Sequence, residues 1–160
     1  VRNINIGVIG PSLAAPEEVT LARQVGRLIA RAGATLVCGG LGGVMEAAAE
    51  GASEEGGMTV GILPGSSRED ANPYLRVTIA TGMGEARNVI IVKSCASLIA
   101  IGGGYGTLSE IATAMRLGVP VVGILTWQVQ GRDPDLVMRA ATAEEAVAKA
   151  VEIAKSRTRS

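Results

Sequence analysis

The sequence predicts a single Rossmann-like domain, a three-layer α/β/α arrangement with a mainly parallel sheet, and three observations predict it. Strand-like and helix-like segments alternate along all 160 residues, as right-handed βαβ crossovers require. Hydrophobic residues make up 48% of the chain, aromatic ones only 2%, with no Phe. A core of Val, Ile, Leu, Ala and Met suits buried parallel strands flanked by close-packed helices. Glycine clusters follow three strand-like runs, at 7–11, 39–43 and 102–106, on the sheet edge where such folds hold ligands.

Each element has a local reason. An apolar strand over 4–9 ends at Gly10-Pro11, and a helix over 16–32 carries Leu21, Val25, Leu28 and Ala32 at helical spacing. Pro16 with Glu17 and Glu18 starts that helix, and Gly33 stops it. A strand over 35–38, a helix over about 44–55 and a strand over 59–63 follow. Residues 64–73 are polar and turn-rich, hence a surface loop, and 76–80 alternate as a short strand. A helix over about 85–93 leads to a strand over 97–101, a helix over about 107–117 closed by Gly118, and a strand over 119–125. The pattern then weakens through 131–134. Ala143, Ala146, Val147, Ala150, Val151 and Ala154 mark a last amphipathic helix. No linker or repeat divides the chain, so residues 1–160 are expected to form one unit.

Composition excludes several function classes. Fifteen basic and fifteen acidic side chains cancel, and the one basic cluster is Lys155, Arg157 and Arg159 in a tail expected to fray. No nucleic-acid partner is expected from this charge pattern. No apolar run reaches the roughly 18–20 residues of a membrane helix and no leader-like segment opens the chain, so a cytoplasmic protein without membrane contact is expected. Cys38 and Cys95 sit in or beside apolar runs, read as small buried thiols with neither disulfide nor metal spacing. With no histidine, any catalysis must rest on carboxylates, Arg, hydroxyls or backbone dipoles. No cofactor or metal is expected.

The glycine turns carry the chemistry. Gly39, Gly40, Gly42 and Gly43 form one, Gly103, Gly104, Gly106 and Thr107 another. Glycine lets backbone N–H groups crowd toward an anion, and the following helix adds the positive end of its dipole; tight strand-to-helix turns need glycine too. A dinucleotide site wants G-x-G-x-x-G and an acidic residue at the end of the next strand. Here Met45 and Ser109 stand at the third glycine position, and the following strands end at Leu63 and Leu125. No Gly-Lys-Ser/Thr makes a Walker loop. Glu110 is placed in the first turn of its helix, either complementing the dipole and capping with Thr107, or acting on a ligand.

GGGYGTLSE at 102–110 resembles the Pro-Gly-Gly-x-Gly-Thr-x-x-Glu signature of the Lonely Guy (LOG) family, phosphoribohydrolases often described as lysine decarboxylases. CGGLGGVMEAA at 38–48 is similar to that family's first glycine turn, and TGMGEARN at 81–88 to its Met-x-x-Arg-Lys segment. The resemblance implies that Gly103, Gly104, Gly106 and Thr107 hold a 5′-phosphate, that Glu110 is the catalytic acid and that Arg87 is its partner. It implies a nucleoside monophosphate-like ligand and hydrolysis of its N-glycosidic bond through an oxocarbenium-like state. Ile101-Gly102 replaces the signature proline, Asn88 the lysine and Glu46 a glycine, and Met83 lies one residue further from Arg87. These departures fit a divergent branch, in a superfamily that also includes a molybdenum-cofactor carrier. A non-catalytic nucleotide or pterin carrier is therefore the alternative. Decarboxylation through pyridoxal is not expected, because Lys93, Lys149 and Lys155 lie away from any anion-binding turn.

Other marked residues read as structural. Arg87 alone could pair with Glu85 on a helix surface, Trp127 could cap the core edge or stack on a base, and Ser66, Ser67 and Arg68 belong to a solvated loop. The helix face over 111–117 could pack on a second copy, giving a homodimer or larger even assembly.

Overall fold

The computed structural model describes residues 3–157. The strands are β1 (Asn5–Ile9), β2 (Thr35–Cys38), β3 (Thr59–Leu63), β4 (Val77–Ala80), β5 (Ser97–Ile101), β6 (Val121–Ile124) and β7 (Val137–Arg139). The α-helices are α1 (Pro16–Arg31), α2 (Val44–Glu54), α3 (Asn88–Lys93), α4 (Tyr105–Arg116) and α5 (Ala143–Arg157). The strands form one sheet in the order β4-β3-β2-β1-β5-β6-β7, and every pairing is parallel. The α/β class predicted from alternation is the observed one.

Two apolar layers sandwich the sheet because successive strand residues face opposite ways. Ile99 and Ile101 of β5 join Ile6, Val8, Val25, Ile29 and Val147 under α1, α2 and α5. Leu98 and Ala100 join Ile9, Ile91, Val92, Ile111 and Ala114 under α3 and α4. All residues of β2, β5 and β6 are buried, which is why they read as unbroken apolar runs. Cys38 and Cys95 are buried free thiols, and burial pushes the Cys38 thiol up to about 11.

Several boundaries differ from expectation. The helix expected from residue 85 is two pieces, a 3-10 turn over Gly84–Arg87 and then α3. A helix start expected at Thr107 lies at Tyr105. Residues after Trp127 hold a 3-10 turn, Pro134–Leu136, and the strand β7. The loop over 64–73 contains a 3-10 turn, Arg68–Asp70, with Ser67 Oγ accepting from the Glu69 N–H. At the carboxyl end the expected fraying gives way to helix through Arg157, whose guanidinium donates to the Gly118 carbonyl at 2.9 Å. Arg159 lies outside the described residues. Among the described residues no helix is long and apolar enough to cross a membrane.

Candidate ligand site at the switch point of the sheet

β1 pairs with both β2 and β5, so the chain winds away from it in opposite directions. At such a point the loops leaving neighbouring strands diverge and open a crevice. The turn at Gly10-Pro11 and the turn at 102–104 flank it, and the first glycine turn lies alongside, with the Val44 N–H donating to the Pro11 carbonyl at 3.1 Å.

The glycines divide into two kinds. Gly43 (φ +64°) and Gly102 (φ +74°) have left-handed backbones, and a Cβ would lie 2.3 Å from the Pro11 carbonyl oxygen or 2.4 Å from the Glu18 carboxylate. Those two are required by the turns themselves. Gly40 packs on Leu63 and Gly39 on Met45 and the Arg87 guanidinium, while a Cβ at Gly42 would have ordinary contacts. In the third turn the backbones of Gly103, Gly104 and Gly106 have no positive φ. A Cβ there would come no nearer than 3.7 Å to Trp127 Nε1 from Gly103 and 3.9 Å to Pro11 from Gly104, and would meet nothing within 4 Å from Gly106. Neither conformation nor packing asks for glycine at these three positions. Glycine there leaves the backbone open to close approach by another molecule.

Electrostatics separates the turns as well. α1 carries Glu17 and Glu18 in its first turn and α2 carries Glu46. α4 carries no acidic residue there, so its dipole is left for an incoming anion. The first backbone bond of α4 runs from the Leu108 N–H to the Gly104 carbonyl at 3.1 Å. The N–H groups of Tyr105, Gly106 and Thr107 precede it and have no intrahelical acceptor.

Arg87 and Glu110 lie near enough for their charges to interact. Both are almost fully buried, at 7% and 8% exposure. Arg87 donates through Nη2 to the Gly39 carbonyl at 3.4 Å and through Nη1 to Asn88 Oδ1, so Asn88 has a role at the guanidinium where the resemblance expected a lysine. Its Nε is buried without a partner. The expected surface pairing with Glu85 is replaced by this buried position. Glu110 sits in the second turn of α4 and caps nothing, because the helix begins two residues earlier than expected. Burial pushes its carboxyl up to about 7, against the attraction of the Arg87 cation, and burial lowers Arg87 in turn. Among the described residues no ion pair within 4 Å joins the two. A carboxyl that exchanges its proton near neutrality beside a cation can accept or release a proton.

Trp127 lies beside the third turn, its Nε1–H donating to the Gly104 carbonyl at 3.1 Å. It walls a cleft of about 950 Å³ lined also by Leu125, Gln128, Gln130, Arg139 and Glu145. Tyr105, which the motif leaves as a variable position, stands 6.0 Å from it between ring centroids. The signal for this pair was the scarcity of aromatics in the whole chain. Thr107 is buried, and Ser66, Ser67 and Arg68 line a separate shallow cleft with Thr78.

The chain is similar to several known proteins. An uncharacterised protein of Archaeoglobus fulgidus is 50% identical over 124 residues, which are 78% of this chain and 82% of that one. The structure of a molybdenum cofactor binding protein from the phototrophic bacterium Rippkaea orientalis is 36% identical, covers 98% of each chain and has a TM-score of 0.86. That of the molybdenum cofactor carrier protein from Chlamydomonas reinhardtii is 35% identical over 95% of this chain and 98% of that chain, with a TM-score of 0.84. The SLOG cluster4 family model matches residues 3–156, and the chain belongs to that family, a branch of the LOG-like Rossmann superfamily.

Proposed function

We propose that this protein binds a phosphorylated heteroaromatic small molecule and holds it without hydrolysis, with a molybdopterin-type cofactor as its cargo. The observation that carries this reading is the open space over Gly103, Gly104 and Gly106 at a helix start that has no acid of its own. Backbone donors and the α4 dipole suit a phosphate there, and Trp127, bonded to that turn, also walls the neighbouring cleft. The pterin assignment is supported by the molybdenum cofactor proteins from Rippkaea orientalis and Chlamydomonas reinhardtii, to which the chain is similar over nearly its whole length. Among the described residues no group of three or more His, Cys, Asp or Glu could hold a metal ion. Recognition of such a cargo therefore falls to its phosphate and its ring system.

A second reading is favoured by one observation, the Glu110 carboxyl pushed up to about 7. In a phosphoribohydrolase that group would stabilise the developing oxocarbenium sugar or orient water, with Arg87 neutralising phosphate or the departing base. One preparation tests both. Protein expressed in a host that makes molybdenum cofactor is denatured, oxidised and assayed for fluorescent pterin, and separately incubated with nucleoside monophosphates while free base is followed. Pterin in the protein and no base release is the expected result. Base release that disappears in Glu110→Ala would overturn the carrier reading in favour of the hydrolase.

A homodimer or larger even assembly stays part of this proposal, on different residues than the sequence suggested. Ile111 and Ala114 are buried in the chain's own core, so that face is not available. Val77 and Ile79 on the edge strand β4 and the nearby Met83 are exposed apolar residues instead. Light scattering at the monomer mass would refute the assembly.

A further inference from the structure

We propose that Tyr105 and Trp127 form the ring-holding subsite of this site, a platform on which the flat heteroaromatic part of the ligand stacks while its phosphate sits at Gly103–Gly106. This rests on the phosphate-binding reading above and adds the residues that select the rest of the ligand.

The chain has one Trp, two Tyr and no Phe, yet two of those three rings meet beside the glycine turn, 6.0 Å apart and tilted by 30°. Neither ring is placed as a core residue. Tyr105 is 84% exposed and Trp127 37%, and exposed aromatics gathered at one place mark a binding surface. Their positions are built in. Tyr105 is the first residue of α4, between the glycines whose backbone is open. The indole N–H of Trp127 is tied to the carbonyl of Gly104 at 3.1 Å, so the turn that would hold an anion also fixes the ring next to it.

The backbone leading to Trp127 is strained. Leu125 has φ +52°, alone among the described non-glycine residues in the left-handed region, and is 55% exposed. A β-branched or bulky side chain in that region is disfavoured by about 1–2 kcal/mol, and such strain persists where the surroundings over-determine it and gathers at ligand sites. Here it turns the chain just after β6, two residues before Trp127 docks on Gly104. Placing the indole over the turn is what the strained backbone achieves.

The single tryptophan gives a clean readout. Emission of Trp127 is titrated with GMP and with hydroxymethylpterin phosphate, which carry flat rings from the two ligand classes, and with ribose 5-phosphate, which carries none. Saturable quenching by at least one ring-bearing phosphate is expected, with ribose 5-phosphate displacing it without quenching; whichever ring binds more tightly identifies the class. By calorimetry, Trp127→Leu and Tyr105→Ala should each weaken the ring-bearing ligand about tenfold, the scale of one aromatic stack on a base, and leave ribose 5-phosphate unchanged. Trp127→Phe keeps a stacking face but loses the bond to Gly104, so it should bind the ring-bearing ligand more tightly than Trp127→Leu does and ribose 5-phosphate as the parent does, which separates lost stacking from a misfolded loop. If ribose 5-phosphate binds but the ring-bearing ligands bind no more tightly than it does, or if the variants weaken all of them alike, the subsite is refuted while phosphate binding stands. If none of the three binds, the phosphate-binding reading fails and this one fails with it.

Discussion

Glu110 is where a single side chain links stability to pH. Its carboxyl ionises near pH 4.5 in an unfolded chain and is pushed up to about 7 in the folded one by burial. Between those values the folded state holds the proton more tightly, so stability falls as pH rises through this window and the loss is complete above about pH 7. Glu110→Gln keeps the shape without the charge. Its stability relative to the parent should therefore improve by about 3 kcal/mol between about pH 4 and about pH 8, since a tenfold change in proton affinity corresponds to about 1.4 kcal/mol. Urea unfolding at the two pH values measures this, and parallel curves for parent and variant would show that Glu110 carries no such linkage. A residue that burdens the fold in this way is better explained by a ligand than by packing. In the sequence Glu110 stood out beside its glycine turn and Arg87 only through the resemblance of 81–88 to a family signature. The sequence did not reveal their burial, because a carboxylate four residues past a glycine turn reads the same whether the helix starts at Tyr105 or at Thr107.

At the scale of elements, the glycines that serve packing and those proposed to serve a ligand should respond oppositely to a methyl group. α1 and α2 approach so closely that a Cβ at Gly51 would lie 1.9 Å from the Arg23 carbonyl oxygen, and one at Gly26 1.9 Å from that of Ala48. Arg23 bridges Glu50 and Glu54 over that contact, and Arg31 pairs with Glu55. Backbone cannot yield as a side-chain tip can, so Gly51→Ala should destabilise by about 2–4 kcal/mol, at or beyond the upper range for overpacking. Gly106→Ala meets nothing within 4 Å in the first turn of α4, where Ala is favoured over Gly by up to about 1 kcal/mol. It should leave the fold equal or slightly more stable and weaken phosphate binding. Chemical denaturation and calorimetry on the two variants separate these roles, and a Gly106→Ala protein that binds as the parent does would sink the cradle. Both helices were legible from periodicity, but the contact between them was not, since a glycine inside a helical run does not say which element will approach it. β7 was missed for a related reason. Val137–Arg139 is too short to show alternation, and it is a strand only because its register on β6, Val121 to Val137, supplies the ladder.

For the molecule as a whole, the strand order makes the site a joint between two halves of one sheet. β1 to β4 lie on one side of the switch point and β5 to β7 on the other, and Arg87, from the segment between β4 and β5, reaches back to the end of β2. Alternation alone foretold a crevice at the carboxyl ends of the strands, because parallel winding leaves no other edge with diverging loops. Which turn would be left without an acid needed the helix starts. With no net charge at pH 7, the protein offers little long-range attraction to an anion, so affinity must come from the contacts at the joint. A ligand seated there touches elements from both halves and stabilises the cooperative unit rather than one loop. At a free concentration about 100 times Kd it adds about 2.7 kcal/mol, and chains of this size shift by about 2–4 °C per kcal/mol. Scanning calorimetry should therefore show Tm rising by about 5–10 °C with a phosphorylated ring-bearing ligand. The dephosphorylated compound should give a much smaller shift at the same concentration, since it lacks the group that the α4 dipole and the bare backbone of Gly103, Gly104 and Gly106 are proposed to hold. Equal shifts from the two would place the binding energy elsewhere in the molecule.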